Sequence, residues 1–182
     1  MTSIIKVDEI QTTSGSGFVK PMAGSIIQIQ YDQYTGTSTQ ALSLETDTVL
    51  NNLSVNITPT STNSIIKIEA QLLFEYSNTN EYDSMFFFYR GTTKLSHPTA
   101  GSRNNAIASA TAAYHAADSD STPNQLYMTY FDAPSTTSAI TYKIGALFTN
   151  AGTLYFNRSK TDANASNYER GVSLISVMEI AG

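Results

Sequence analysis

The chain has 182 residues, no cysteine and a formal net charge of -5, with 41% hydrophobic and only 14% charged residues. This length and hydrophobic content fit one compact domain with a core, and without cysteine the chain forms no disulfide bond and no thiolate metal site. The acidic balance argues against extended contact with nucleic acid or with an anionic membrane, because both need clustered Lys and Arg.

Residues 1–23 are predicted to form an N-terminal attachment arm. Apolar residues come first, a Gly/Ser/Thr stretch follows, and Pro21 ends any continuing strand. An apolar tip on such a tether cannot bury itself, so we expect it to insert between neighbouring chains or into another protein. Pairing with the sheet edge is the alternative. The N-terminus lacks the basic and apolar regions of a signal peptide, which predicts a soluble protein made in a cytoplasm. The attachment residues are Ile4, Ile5, Val7 and Ile10.

The remainder, residues 24–182, is predicted to be an all-β head. Residues 64–76 carry the clearest signal, because apolar and mostly polar side chains alternate there with the two-residue period of a strand. Short strands separated by turn residues predict an antiparallel sandwich or barrel. Polar loops are expected at 32–40, 99–123 and 158–170, the second with at most one strand. The other predicted strands are 24–31, 41–44, 53–57, 85–90, 93–97, 125–132, 139–148, 153–157 and 171–180.

Two of these strands are apolar on both faces. Residues 85–90 read Met-Phe-Phe-Phe-Tyr-Arg, and residues 171–180 close the chain with apolar side chains on either side. Such strands are either buried on both faces or have one face in the core and the other at a contact between subunits. We expect the latter, because association would bury the surplus apolar surface. The expected intersubunit residues are Phe86, Phe87, Phe88, Ile175 and Val177.

Few residues suggest chemistry. His97 and His115 do not have the spacing of metal ligands, and no nucleophile elbow is present. Asp118 and Asp120 resemble a fragment of a calcium loop but lack its glycine and its downstream glutamate. We therefore predict a protein that is not an enzyme and has no cofactor or metal.

Recognition of a sugar or of a protein surface is a further possibility. The many Tyr, Asn, Ser and Thr residues suit adaptable contacts with sugars or protein surfaces through aromatic platforms and hydrogen-bonding loops. The candidate receptor-loop residues are Tyr34, His115, Asp118, Asn164 and Tyr168.

Several segments together carry a family resemblance. They include Lys-Val-Asp-Glu-Ile-Gln at 6–11, Ile-Thr-Pro-Thr-Ser at 57–61 running into Ser-Ile-Ile-Lys-Ile at 64–68, and Asp-Ala-Pro-Ser-Thr-Thr-Ser-Ala at 132–139 followed by Thr-Tyr-Lys-Ile at 141–144. Phe-Asn-Arg-Ser at 156–159 and the terminal residues 173–182 complete the set. In order and spacing the chain resembles tail-fibre-like virion proteins of marine bacteriophages, especially those that infect cyanobacteria.

The resemblance implies a non-enzymatic structural protein of the virion. Its head would be a jelly roll similar to C1q/TNF-type heads, it would form a homotrimer, and the arm would attach it to other capsid or tail proteins. A tail fibre, a fibre tip, a capsid decoration and a head fibre all remain open. The alternatives are a host-receptor or carbohydrate-binding module of the tail and a polysaccharide depolymerase, although the family supplies no catalytic residues to carry over.

Overall fold

The computed structural model describes residues 21–77, 84–109 and 121–182. The expected attachment residues Ile4, Ile5, Val7 and Ile10 therefore lie outside the described residues, as do His115 and Asp118. Within the described ranges the chain is all-β, without a helix. Its strands are β1 (Ile26–Tyr34), β2 (Ser38–Leu42), β3 (Thr48–Ile57), β4 (Ile65–Tyr76), β5 (Ser84–Arg90), β6 (Thr93–Leu95), β7 (Ala108–Ser109), β8 (Asn124–Asp132), β9 (Ile140–Phe148), β10 (Gly152–Phe156) and β11 (Ser173–Ile180).

The first sheet is organised around β4, the strand with the strict alternation. One edge of β4 pairs along most of its length with β8. The other edge pairs first with β11 and then, near its end, with β10. Strand β1 pairs with β11, and β2 pairs with β10. All these pairings are antiparallel, so β4 lies in the centre of a six-stranded antiparallel sheet.

The second sheet is formed by β3, β9, β5 and β6 in that order, with the short β7 also paired to β5. It too is antiparallel, and it packs on the first sheet as a sandwich. Alternation places one side of each central strand in the layer between the sheets, where apolar side chains leave water. The expectation of an antiparallel sandwich is thus confirmed.

An aromatic cluster joins the two sheets inside the core. Phe74 and Tyr76 project from the first sheet, and Phe86 and Phe148 project from the second. Tyr76 stacks on Phe148 with ring centroids 3.9 Å apart, and Phe74 lies 5.1 Å from Phe86. Large rings from both layers fill the space that these short strands enclose.

The expected intersubunit residues are buried within the single chain, which corrects that prediction. Phe86, Phe88, Ile175 and Val177 are all 0% exposed and belong to the core between the sheets. Phe87, on the opposite face of β5, is also 0% exposed, and the Lys94 ammonium lies 3.9 Å from its ring centroid. Since one chain already covers all five, a second chain has no access to them. From the sequence, burial on both faces is the alternative to an intersubunit contact, and for Phe86, Phe87 and Phe88 of β5 this alternative is the correct one.

One loop prediction changes. Residues 32–40 are largely strand, because β1 continues to Tyr34 and β2 begins at Ser38. Pairing with Ser173 at the start of β11 extends β1 despite its polar sequence. The described part of the predicted loop 99–123 contains one two-residue strand, β7, which agrees with the prediction of a loop with at most one strand. Residues 158–170 are a loop, as predicted, held by a single bridge between Arg158 and Arg170 among the described residues.

Candidate functional site: an apolar sheet face and a loop cleft

The side of the first sheet that points away from the core carries exposed apolar side chains. We call this side the outer face. Ile29 and Tyr31 of β1 and Tyr127 and Phe131 of β8 are exposed on it, Tyr31 to 74%. Half-buried apolar side chains lie between these two edges of the sheet, and they are Ile65, Leu73, Leu174, Met178 and Ile180.

Strand register brings these side chains into rows across the sheet. Ile29 lies opposite Met178, Met178 opposite Lys67, and Lys67 opposite Phe131. Directly opposed residues in antiparallel strands share a face and stand within contact distance of each other. The outer face therefore carries exposed apolar side chains on β1 and on β8, with the polar side chains Lys67, Glu69 and Gln71 of β4 between them.

A small polar group occupies the centre of this face. Lys67 Nζ lies 2.7 Å from Glu69 Oε1, and the Tyr127 hydroxyl donates a hydrogen bond to the same carboxylate oxygen. The hydrogen bonds from Lys67 and from Tyr127 lower the pKa of Glu69, while the bond to Glu69 raises the pKa values of Lys67 and Tyr127. Lys67 and Glu69 therefore carry opposite charges that compensate each other at neutral pH.

A second surface feature is a cleft in the loop between β10 and β11. Its volume is about 400 Å³, and its lining residues are Asp162, Ala163, Asn164, Ala165, Tyr168 and Arg170. The Arg170 guanidinium donates from Nε to Asp162 Oδ1 at 2.8 Å and from its terminal nitrogen to Oδ2 at 2.7 Å. The hydrogen bond from Arg170 lowers the pKa of Asp162, and the same contact raises the pKa of Arg170.

Buried polar groups hold the base of this loop against the sandwich. Asn157 is 0% exposed, and its amide nitrogen donates to the carbonyl oxygens of Tyr34 and Gly36. Its amide oxygen accepts from the Ser173 hydroxyl at 2.6 Å. Further along, the backbone N–H of Lys160 donates to the buried carboxylate of Glu75. These bonds fix both ends of the loop, so the cleft is attached to rigid strands.

The structure brings together two of the five candidate receptor residues. Asn164 and Tyr168 line the cleft. Tyr34 does not belong to a receptor loop, because it ends β1 and packs partly buried against the core. Sequence reasoning missed Asp162 and Arg170, whose pairing across eight residues of irregular backbone has no periodic signal.

The outer face was also missed, although a signal for it was present. In residues 125–132, Tyr127 and Phe131 lie on one side of the strand, and Leu126 and Met128 lie on the other. This strand too is therefore apolar on both sides. Residues 85–90 differ from this strand because other parts of the chain cover both of their sides. The alternation of side chains along one strand does not indicate which strands will be covered.

Neither a metal cluster nor a membrane helix is found in the part of the chain that the structure describes. No group of three or more His, Cys, Asp or Glu side chains there is arranged to hold a metal ion. Likewise, none of the described residues forms a helix long and apolar enough to cross a bilayer.

Comparison with known proteins adds no relative. No model of a protein family matches the chain, and no curated protein matches it significantly.

Proposed function

We propose that the chain is a non-enzymatic structural protein of a bacteriophage virion, a homotrimeric jelly-roll head attached to the particle through residues 1–23. The observation that carries the trimer is the outer face, on which the large side chains of Tyr31 and Phe131 are exposed to 74% and 57%. The virion assignment is supported by the sequence resemblance to tail-fibre-like proteins. Capsid and tail positions are equally compatible with it.

The path of the chain between the sheets supports the jelly-roll part of the proposal. Strand β3 belongs to the second sheet, β4 to the first, β5 to the second, β8 to the first, β9 to the second and β11 to the first. Apart from β2 and β10 at one end of the first sheet and the two-residue β7, the strands are ordered β1-β11-β4-β8 in one sheet and β3-β9-β5-β6 in the other. Repeated crossing between two four-stranded layers is the connectivity of jelly rolls.

The charges on the outer face favour copies of the same chain as its partner. Lys67 and Glu69 are paired with each other, so the outer face meets a neighbouring copy without a surplus of one charge. Burial of the surrounding apolar side chains stabilises the assembly by about 25 cal/mol per Å² of apolar area removed from water. A cyclic trimer has head-to-tail contacts, in which one patch of each copy meets a different patch of the next copy. The exposed apolar residues of β1 and those of β8 supply two such patches.

Substitution of Phe131 with glutamate tests the interface. Light scattering of the purified full chain should give the mass of a trimer for the wild type. It should give a lower mass for Phe131→Glu and for Tyr31→Glu, because each substitution would bury an unpaired charge at the contact between copies. Leu44→Glu is the matched control, because Leu44 is also 57% exposed but lies between β2 and β3. A monomeric wild type, or a trimer that survives both outer-face changes, would overturn the proposal.

The cleft between β10 and β11 favours a second role, binding of a host receptor or carbohydrate. A few polar groups in a concave site fix the orientation of a bound ligand, and Asp162, Asn164 and Arg170 supply such groups in the cleft. This role is compatible with the first, because a fibre tip both assembles and adsorbs. Loop exchange across 161–170 should reduce adsorption to the host while leaving incorporation into particles unchanged; equal adsorption would argue against it.

A further inference from the structure

The cleft has compensated charges. Asp162 and Arg170 are the two charged side chains that line it, and they bind each other through two hydrogen bonds. Arg158 adds a weaker contact at 3.9 Å to Asp162 while its guanidinium lies over the Tyr155 ring. Because its cation and anion satisfy each other, the cleft gives no strong preference to an anionic or a cationic ligand.

The remaining lining groups have hydrogen-bonding capacity to spare. The Asn164 side chain and the Tyr168 hydroxyl make no hydrogen bond with any other described residue. Each carboxylate oxygen of Asp162 keeps a lone pair beyond the one that Arg170 uses. The cleft thus combines donors, acceptors and one half-buried aromatic ring in an open volume of about 400 Å³.

We propose that this cleft binds a neutral saccharide. Adjacent sugar hydroxyls both donate and accept, which matches the Asp162 carboxylate and the Asn164 amide, and the apolar face of a pyranose ring packs on an aromatic side chain such as Tyr168. The inference rests on the proposed role in host attachment and names its ligand class. It does not depend on the trimer.

Saturation-transfer NMR with the full chain tests the proposal. The probes are methyl α-glucoside, methyl α-mannoside and methyl β-galactoside, with glucuronic acid as an anionic comparison. At least one neutral glycoside should give a transfer signal and bind more tightly than glucuronic acid. Tyr168→Ala should weaken its binding about tenfold through loss of the ring contact. Asn164→Ala should weaken it as well.

Asn104→Ala is the matched control, since Asn104 is an exposed loop asparagine outside the cleft, and its binding should equal that of the wild type. Thermal unfolding of each variant separates a lost contact from a lost fold. Absence of any transfer signal, preference for glucuronic acid, or binding that Tyr168→Ala leaves unchanged would overturn the inference. The adsorption assay with the exchanged loop reports host attachment separately, and light scattering of the same samples reports the trimer, so failure of the saccharide site is distinguished from failure of either proposed role.

Discussion

Asn157 connects three separate segments from one buried position. Its side chain binds the backbone at Tyr34 and Gly36 and the hydroxyl of Ser173, while its backbone N–H donates to the Leu73 carbonyl. Its φ of 57° lies in the left-handed region, which asparagine tolerates better than most residues. A local backbone requirement and a tertiary hydrogen-bond network therefore select the same residue type.

Glu179 is a buried carboxylate with a complete set of donors. It is 0% exposed, and its oxygens accept from Gln28, from the Ser64 hydroxyl, and from both the N–H and the hydroxyl of Thr60. Burial alone raises the pKa of Glu179, but these hydrogen bonds together lower it below the usual value of 4.5. The ionised form is thus the one that the fold binds.

The lowered pKa of Glu179 predicts a loss of stability in acid. The stability that ionised Glu179 contributes is fully present above about pH 4.5, the pKa of this carboxyl group in the unfolded chain. It is lost as the pH falls through the lower pKa that the group has in the folded chain. Glu179→Gln should cost about 2 kcal/mol at neutral pH, because the amide turns a donor toward other donors. It should also lose less stability on acidification than the wild type.

Urea unfolding measured at a series of pH values checks both effects. The exposed Glu169→Gln is the control, and its free energy of unfolding at neutral pH should stay within about 0.5 kcal/mol of the wild type. Parallel pH dependence of the wild type and Glu179→Gln would contradict this account of the buried carboxylate.

At the scale of elements, the contact between β5 and β9 depends on a glycine. Gly145 lies directly opposite Phe87, and a methyl group at this position would overlap the rings of Phe87 and Tyr89. The two rings meet edge to face, 5.6 Å apart between centroids. The small residue therefore lets the Phe87 ring lie flat on the second sheet, where it is buried without a second chain.

Gly145→Ala should destabilise the sandwich by about 2 kcal/mol through overpacking. Denaturant unfolding measures the loss, and a double-mutant cycle with Phe87→Leu gives the control. If the ring is the obstacle, Gly145→Ala costs less in the Phe87→Leu background. An equal cost in both backgrounds would mean that the clash with Phe87 is not the cause.

At the scale of the whole molecule, the proposal separates assembly from attachment. In our proposed function the outer face joins copies of the head, and residues 1–23 join the head to the particle. Deletion of residues 1–23 should leave a folded trimer, because the sandwich and the outer face belong to residues 26–180. The deleted protein should be missing from particles assembled in its presence.

Light scattering of the purified deletion protein and immunoblotting of purified particles measure the two outcomes. The full-length chain, supplied in the same way, is the control for incorporation. Normal incorporation of the deleted form would refute the role of the arm, whereas loss of the trimer would mean that the arm also holds the copies together.

Much of the fold was predictable from residues 64–76 and from the strands at 125–132, 139–148 and 171–180. Their alternation has the period of the pleat, so the all-β class and most strand bounds follow from local geometry. Strand β1 was predicted too short because its last residues are polar and are ordered by pairing with β11. Of the cleft, Asn164 and Tyr168 were predicted, while Asp162 and Arg170 required the path of the loop.

The sequence by itself determined which residues share a side of each strand. Only the tertiary structure decided which side is covered, because cover comes from strands distant in the chain. Phe87 and Val177 are thus buried, whereas Tyr31 and Phe131 remain exposed, although the sequence places large or apolar side chains at all four positions. Periodicity is a property of one strand, but burial is a property of the packed sheets.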